Sequence, residues 1–195
     1  NSLTNEKYNQ LIYKIDWNKL SLNPNAIELL SENKKNINWW YLSSNTNAIE
    51  LLKENQDKII WIELSENPNA IDLLKENQHK INWSWLSKNP NAIELLKENQ
   101  HKIHWFILSK NPNAIQLLKE RIEYEKSLTD EEYNKLEDQD KIDWESLFLN
   151  PNAIELLKER IKYEKSLTKK EFRQLQNKIN WFRLSSNPAI FEDEL

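Results

Sequence analysis

The chain contains no glycine. At ordinary usage a protein of this length would carry about 14. A P-loop, a dinucleotide-binding fingerprint and a serine nucleophile elbow all need glycine. Only a residue without a Cβ lets backbone close on a phosphate or take the strained turn. Those chemistries are excluded. Cysteine is also absent, which removes disulfides, cysteine-ligated zinc and thiol catalysis and leaves the redox compartment open. No apolar run approaches the roughly 18 residues that span a bilayer, and no signal-peptide pattern opens the chain. An excess of basic charge is missing too. Lys and Arg number 27 against 31 Asp and Glu, a net charge of -4, with the signs interspersed. That balance reads as a solvated surface, and it argues against nucleic acid as a partner.

What is present is a sentence written seven times. It runs Ile, any residue, Trp, two variable residues, Leu, Ser, then usually Asn-Pro-Asn-Ala-Ile. The copies start at Trp17, Trp39, Trp61, Trp83, Trp105, Trp144 and Trp181, the first five spaced 22 residues apart. A fixed period of this size marks stacked repeats, each burying its apolar face on its neighbours.

One unit, residues 81–102, shows the expected physics. Asn89 suits a helix N-cap and Pro90 the first helical position. Ala92, Ile93, Leu95 and Leu96 give an apolar helical face. Asn99, the best substitute for glycine, suits a left-handed C-cap. The spacing predicts a helix over 90–98. Asn82, with Asp16, Asn38, Asp143 and Asn180 in other copies, suits a second N-cap, and Trp83 and Leu86 share one face of a short helix over 83–88. Trp, Leu and Ile from successive units should then form one continuous core. The fold class expected is all-α, an α-solenoid of stacked short helical hairpins. A leucine-rich repeat also fits the period. Its strand needs alternating apolar residues, and the position two before the Leu holds Asn18, Ser84 and Glu145 as readily as Trp40 or Ile62.

The period lengthens to 39 and then 37 residues after Trp105 and Trp144. There the capping Asn is replaced by Arg121-Ile122 and Arg160-Ile161, so the helix should run on through Tyr124 and Tyr163. Thr129 with Glu132, and Thr168 with Glu171, fit capping boxes that start an extra helix. That helix carries Tyr133 and Leu136, or Phe172 and Leu175. Residues 2–8 match the same insert, and Asn187-Pro188-Ala189-Ile190-Phe191 is a degraded copy. The expected organisation is a single repeat domain over 1–195. It comprises a partial long repeat over 1–14, four short repeats over 15–102, two long repeats over 103–178 and a C-terminal capping repeat over 179–195. A start at Asn1, inside an insert, reads as a fragment or a trimmed product, and the C-terminal unit as a cap or a cut. Thr46 in place of Pro and Phe148 in place of Ser should distort their units locally.

The repeat sentence, with its Asn-Pro-Asn-Ala-Ile-x-Leu-Leu and closing Asn-Pro-Ala-Ile-Phe, resembles tandem repeats in proteins of giant DNA viruses of amoebae and algae. The resemblance covers about residues 2–191. It implies a viral source and a helical scaffold in the host-cell cytoplasm or the virion, and no settled activity.

Within the chain, the two slots after each Trp vary freely while their surroundings hardly change. These slots can pack against the neighbouring hairpin, or line up at helix-packing distances of about 10 Å as a partly apolar strip. On the second reading the partner-binding residues are Trp40, Tyr41, Ile62, Trp85, Phe106, Ile107, Phe182 and Arg183. His79, His101 and His104 lack a clear third ligand for a metal. The sequon Asn82-Trp83-Ser84 falls in the packing motif, and no carboxylate pair stands out for acid–base work. The expectation is a non-enzymatic scaffold without cofactor that binds a protein, a host protein on the viral resemblance. A structural scaffold that stacks on itself is the alternative.

Overall fold

The computed structural model of the protein describes residues 14–175, 177–187 and 189. Among them are fifteen α-helices and no strand, so the chain is a helical repeat of the solenoid class and the leucine-rich alternative falls. It divides into two compact units, 1–82 and 83–195. Each is a stack of helical hairpins.

The first helix of every hairpin opens on the tryptophan and lasts four to six residues, as in Trp39–Ser44, Trp83–Lys88 and Trp144–Leu147. Asp16, Asn38 and Asn180 cap these helices by accepting backbone N–H groups, as their type requires. His104 does the same through Nδ1. Asp143 departs from the expectation: its carboxylate accepts the Ser146 hydroxyl and no helix N–H.

The second helix is shorter than the predicted 90–98. It covers Ile93–Lys97, and Ile71–Glu76 in the preceding copy. The cause lies at the alanine, whose φ of -88° and ψ of 6° in Ala92 do not continue a helix. Asn-Pro-Asn-Ala is instead a tight turn, closed by the Ala92 N–H on the Asn89 carbonyl at 3.2 Å. The left-handed C-cap is also corrected. Asn99 has φ -131° and ψ 43°. Among the described residues only Asn177 has positive φ. Asn33, Asn55, Asn77 and Asn99 end their helices through the side chain, each Nδ2 donating to the carbonyl four residues back. A helix end needs its orphan carbonyls satisfied, and an amide donor does this without the strain of a left-handed backbone.

The core is made of leucine and alanine. Leu42, Leu52, Leu64 and Leu74 in the first unit and Leu86, Leu96, Leu108, Leu118, Leu147 and Leu157 in the second are fully buried. Each contributes roughly 1.5–3 kcal/mol. Ala48, Ala70, Ala92, Ala114 and Ala153 are fully buried as well, at a turn where backbone approaches backbone. The isoleucine before each tryptophan is buried from Ile37 onward.

The tryptophans do not belong to that core as expected. Trp17, Trp39, Trp61 and Trp83 are half-buried, and over Trp61 and Trp83 a cation from the next turn covers the indole. Lys80 sits 4.7 Å over Trp61, and Lys102 4.4 Å over Trp83. Only in the two long repeats is the ring buried, under Arg121 at 5.0 Å from Trp105 and Arg160 at 4.7 Å from Trp144. These are cation–π contacts, the stronger the drier.

Polar side chains join the hairpins. The serine after the core leucine is fully buried in Ser21, Ser43, Ser65, Ser87 and Ser109. Its hydroxyl donates to the tryptophan carbonyl four back and accepts a backbone N–H from the next repeat, as Ser43 does from Ile60 at 3.0 Å and Ser87 from His104 at 3.1 Å. From Asn45 onward the first asparagine of the turn is buried as well. Asn45 donates to Ser21 O at 2.9 Å, and Asn111 to Ser87 O at 3.1 Å and Asn89 O at 3.0 Å. The second asparagine reaches back to the proline position of the preceding turn, as Asn47 does to Pro24 and Asn113 to Pro90. Two asparagine ladders thus run through each unit. Thr46 distorts nothing, since its carbonyl accepts Asn69 Nδ2 at 2.9 Å as a proline's would. Phe148 keeps the helix geometry, with its N–H on the Trp144 carbonyl, but offers no hydroxyl to the next repeat.

The long repeats follow the sequence. Helices run over Ile115–Ser127 and Ile154–Ser166, and extra helices over Asp130–Lys135 and Lys169–Gln174. Both capping boxes form. Glu132 Oε2 accepts the Thr129 N–H at 2.8 Å, and Glu171 Oε2 that of Thr168 at 2.8 Å. The Thr129 N–H and hydroxyl hold the Glu132 carboxyl, and the Thr168 hydroxyl and N–H the Glu171 carboxyl, below the ordinary glutamate value. A lowered folded value means stabilisation that is complete at neutral pH and lost as pH falls through it. Amide protection at Thr129 and Thr168 should therefore drop on acidification below about pH 4, while that of Leu118 and Leu157 holds. Exchange measured residue by residue across that window checks this. The insert match at 2–8, and Pro188, Ile190 and Phe191 of the degraded copy, lie outside the described residues. Asn187 keeps its place in the ladder, donating to Phe148 O at 2.9 Å and Asn150 O at 3.0 Å.

Candidate partner-binding surface

The two slots after each tryptophan lie on the first helix of the hairpin, turned away from the leucine core. In the first unit they hold Asn18-Lys19, Trp40-Tyr41 and Ile62-Glu63. Trp40 is 49% exposed and Tyr41 is exposed beside it, while Ile62 and Glu63 are half-buried. The helices Trp39–Ser44 and Trp61–Glu66 pack directly on one another, so Trp40 and Ile62 occupy equivalent places on adjacent helices.

The second unit holds Ser84-Trp85, Phe106-Ile107, Glu145-Ser146 and Phe182-Arg183 in the same slots. Trp85 is 38% and Phe106 40% exposed, and Ile107 is half-buried. Lys88 lies 5.5 Å from the Trp85 ring and Lys110 5.7 Å from the Phe106 ring. His104 meets Phe106 edge-on at 6.5 Å. Burial holds the His104 imidazole below the ordinary histidine value, which suits a neutral ring whose Nδ1 must accept the Ile107 N–H. Phe182 is 81% exposed, and Arg183 reaches Glu145 at 3.3 Å. Packing between hairpins therefore claims the isoleucines and short polar residues of the slots, and leaves the aromatic rings in solvent.

Among the described residues no group of three or more His, Cys, Asp or Glu could hold a metal ion. Among them, too, no helix is long and apolar enough to cross a membrane. Asn82 of the sequon is half-buried.

The sequence reading missed the second shared element of the long repeats. Arg121 and Glu125, and Arg160 and Glu164, stand four apart on one helix face and pair there, almost fully buried. Each glutamate also accepts the backbone N–H of the next repeat's isoleucine, Ile142 or Ile179, at 2.9 Å. In short repeats a glutamine carbonyl does that work, as Gln100 does for Ile103. The signal was in the text: both inserts read Arg-Ile-x-Tyr-Glu-Lys. Desolvation raises the Glu125 carboxyl above the ordinary value, and burial likewise raises the Tyr133 phenol. Compared with family models, curated proteins and solved structures, the chain finds no match.

Proposed function

We propose that the protein is a non-enzymatic repeat scaffold that holds a protein partner along the variable slots. Trp40, Tyr41 and Ile62 act in the first unit, and Trp85, Phe106, Ile107, Phe182 and Arg183 in the second. One observation carries the reading. Aromatic rings stand exposed in slots of the repeat sentence that change from copy to copy. Exposed aromatic side chains on a rigid frame are the usual anchors of protein interfaces, since they bury large area at little cost in side-chain entropy. The resemblance to giant-virus repeats makes a protein of the infected host the partner we favour.

The test is affinity capture from host-cell lysate with the wild type beside a Trp40→Ser, Trp85→Ser, Phe106→Ser triple variant. The variant should keep its helical circular dichroism, because surface substitutions of this kind usually change stability within about 0.5 kcal/mol each. A partner held by the wild type and lost by the folded variant supports the reading. Identical capture by both would sink it. Concentration-dependent self-association without capture would favour a self-stacking structural scaffold.

A further inference from the structure

In the second unit the two long repeats follow one another, and between them lies an open cavity of about 360 Å³. That is the lower range of pockets that hold small ligands. Its wall combines Ile122, Leu128 and Leu175 with the rings of Tyr133, Trp144 and Tyr163.

The charged groups on the wall are unequally satisfied. Arg160 is held by Glu164 at 3.0 Å, and Lys126 by Glu123 at 2.7 Å. Asp130 lines the cavity with no ion pair among the described residues. Glu125 lines it with a side chain only 7% exposed. Its Oε1 accepts the Ile142 N–H at 2.9 Å and lies 3.4 Å from Arg121 Nε, and that Nε makes no hydrogen bond among the described residues. Glu125 Oε2 has no partner among them either. The equivalent carboxylate, Glu164, takes a full hydrogen bond from Arg160 Nε at 3.0 Å and does not line the cavity. Of two carboxylates made by one repeated motif, the one facing the cavity is left under-paired. With its second oxygen unfilled, the Glu125 carboxylate can still accept a donor from the cavity.

We propose that this cavity binds a primary alkylammonium group, with Glu125 Oε2 accepting from the ammonium and the alkyl chain lying on the apolar and aromatic wall. The cations on the wall are engaged by Glu123 and Glu164, and Glu125 is offset by Arg121, so Asp130 leaves the wall a net negative charge. A guanidinium fits less well, because it seeks both carboxylate oxygens in one plane, and Oε1 is already taken. An ammonium is a compact point donor that needs one. The aromatic lining adds cation–π attraction.

The experiment is an NMR titration of the whole chain with butylammonium chloride, read at the Ile142 amide that donates to Glu125. Sodium chloride and butanol serve as controls. Saturable shifts with butylammonium, absent with both controls, are expected, as is at least tenfold weaker binding in Glu125→Gln. Shifts equal to those with butanol would reduce the cavity to an apolar gap, and shifts equal to those with sodium to a salt effect. Either overturns the proposal, as does an absence of saturation or wild-type affinity in Glu125→Gln. Should Glu125→Gln fail to fold, the butanol comparison still decides, and Asp130→Asn should weaken binding about threefold. A parallel arm with Nα-acetyl-lysine methylamide separates the sources: binding like butylammonium points to a lysine of a peptide, and exclusion points to a free amine.

Discussion

Replacing Asn111 by alanine should destabilise the protein by about 3–5 kcal/mol. The side chain is almost wholly buried and makes three hydrogen bonds. Nδ2 donates to Ser87 O at 3.1 Å and Asn89 O at 3.0 Å, and Oδ1 accepts from Asn113 N at 3.0 Å. Alanine would take the Nδ2 donor from Ser87 O and the acceptor from the Asn113 N–H, and leave Asn89 O with the Ala92 N–H alone, at about 1–3 kcal/mol for each buried group left unpaired. Aspartate keeps the size and the Oδ1 bond, yet aims a second acceptor at two carbonyls. It should be worse than alanine at neutral pH and improve as acid protonates it. A repeat array draws its stability from contacts between neighbours, so the variant should also unfold in a broader or divided transition. Urea unfolding followed by far-ultraviolet circular dichroism reads both effects. A loss below about 1 kcal/mol would mean that the ladder is incidental and that the leucines alone hold the stack.

That expectation shows which parts of the fold the sequence disclosed. The period, the hairpin and the leucine face were legible because each rests on local chemistry: apolar spacing, capping types and a proline that cannot donate. The capping boxes at Thr129 and Thr168 were legible for the same reason. The asparagines were legible only in part. Asn89 looks like a helix cap, and Asn111 does accept an N–H of its own turn. The other half of its role is a bond to the preceding repeat, and no local rule contains that partner. Trp61 and Trp83 misled in the opposite sense. Their regular spacing suggested core, whereas the lysine that covers each of them stands nineteen residues on. Invariance within a repeat shows that a position is constrained. It does not distinguish packing from hydrogen bonding or from stacking under a cation.

For the candidate surface, the sequence supplied the positions and the structure their exposure. Trp40 and Ile62 fill equivalent slots, and only the tryptophan stands clear. The cavity between the inserts could not be read beforehand, because it needs Tyr133 of one insert and Tyr163 of the next to meet across a stack.

The second large effect concerns the buried ion pairs, and its value lies in a ranking. Arg160→Met should cost about 3–5 kcal/mol, the usual penalty for removing one partner of a buried pair. Glu164 would keep only the Ile179 N–H, Asn177 O would lose its guanidinium donor, and the Trp144 indole would lose the cation stacked at 4.7 Å. Adding Glu164→Gln should recover a good part of that loss, because a neutral amide can still accept from Ile179 while the stranded charge is gone. Arg121→Met should cost less than Arg160→Met. Its pair with Glu125 is longer, 3.4 Å against 3.0 Å, and its Nε is not hydrogen-bonded. The Glu125 it leaves behind already sits beside a cavity that solvent can enter. The same motif would then be tight in one repeat and loose in the other. Chemical denaturation of the three variants beside the wild type gives the order. If Arg121→Met proved the more damaging, Glu125 would depend on its arginine as fully as Glu164 does, and the under-paired carboxylate at the cavity wall would be no feature of the molecule in solution.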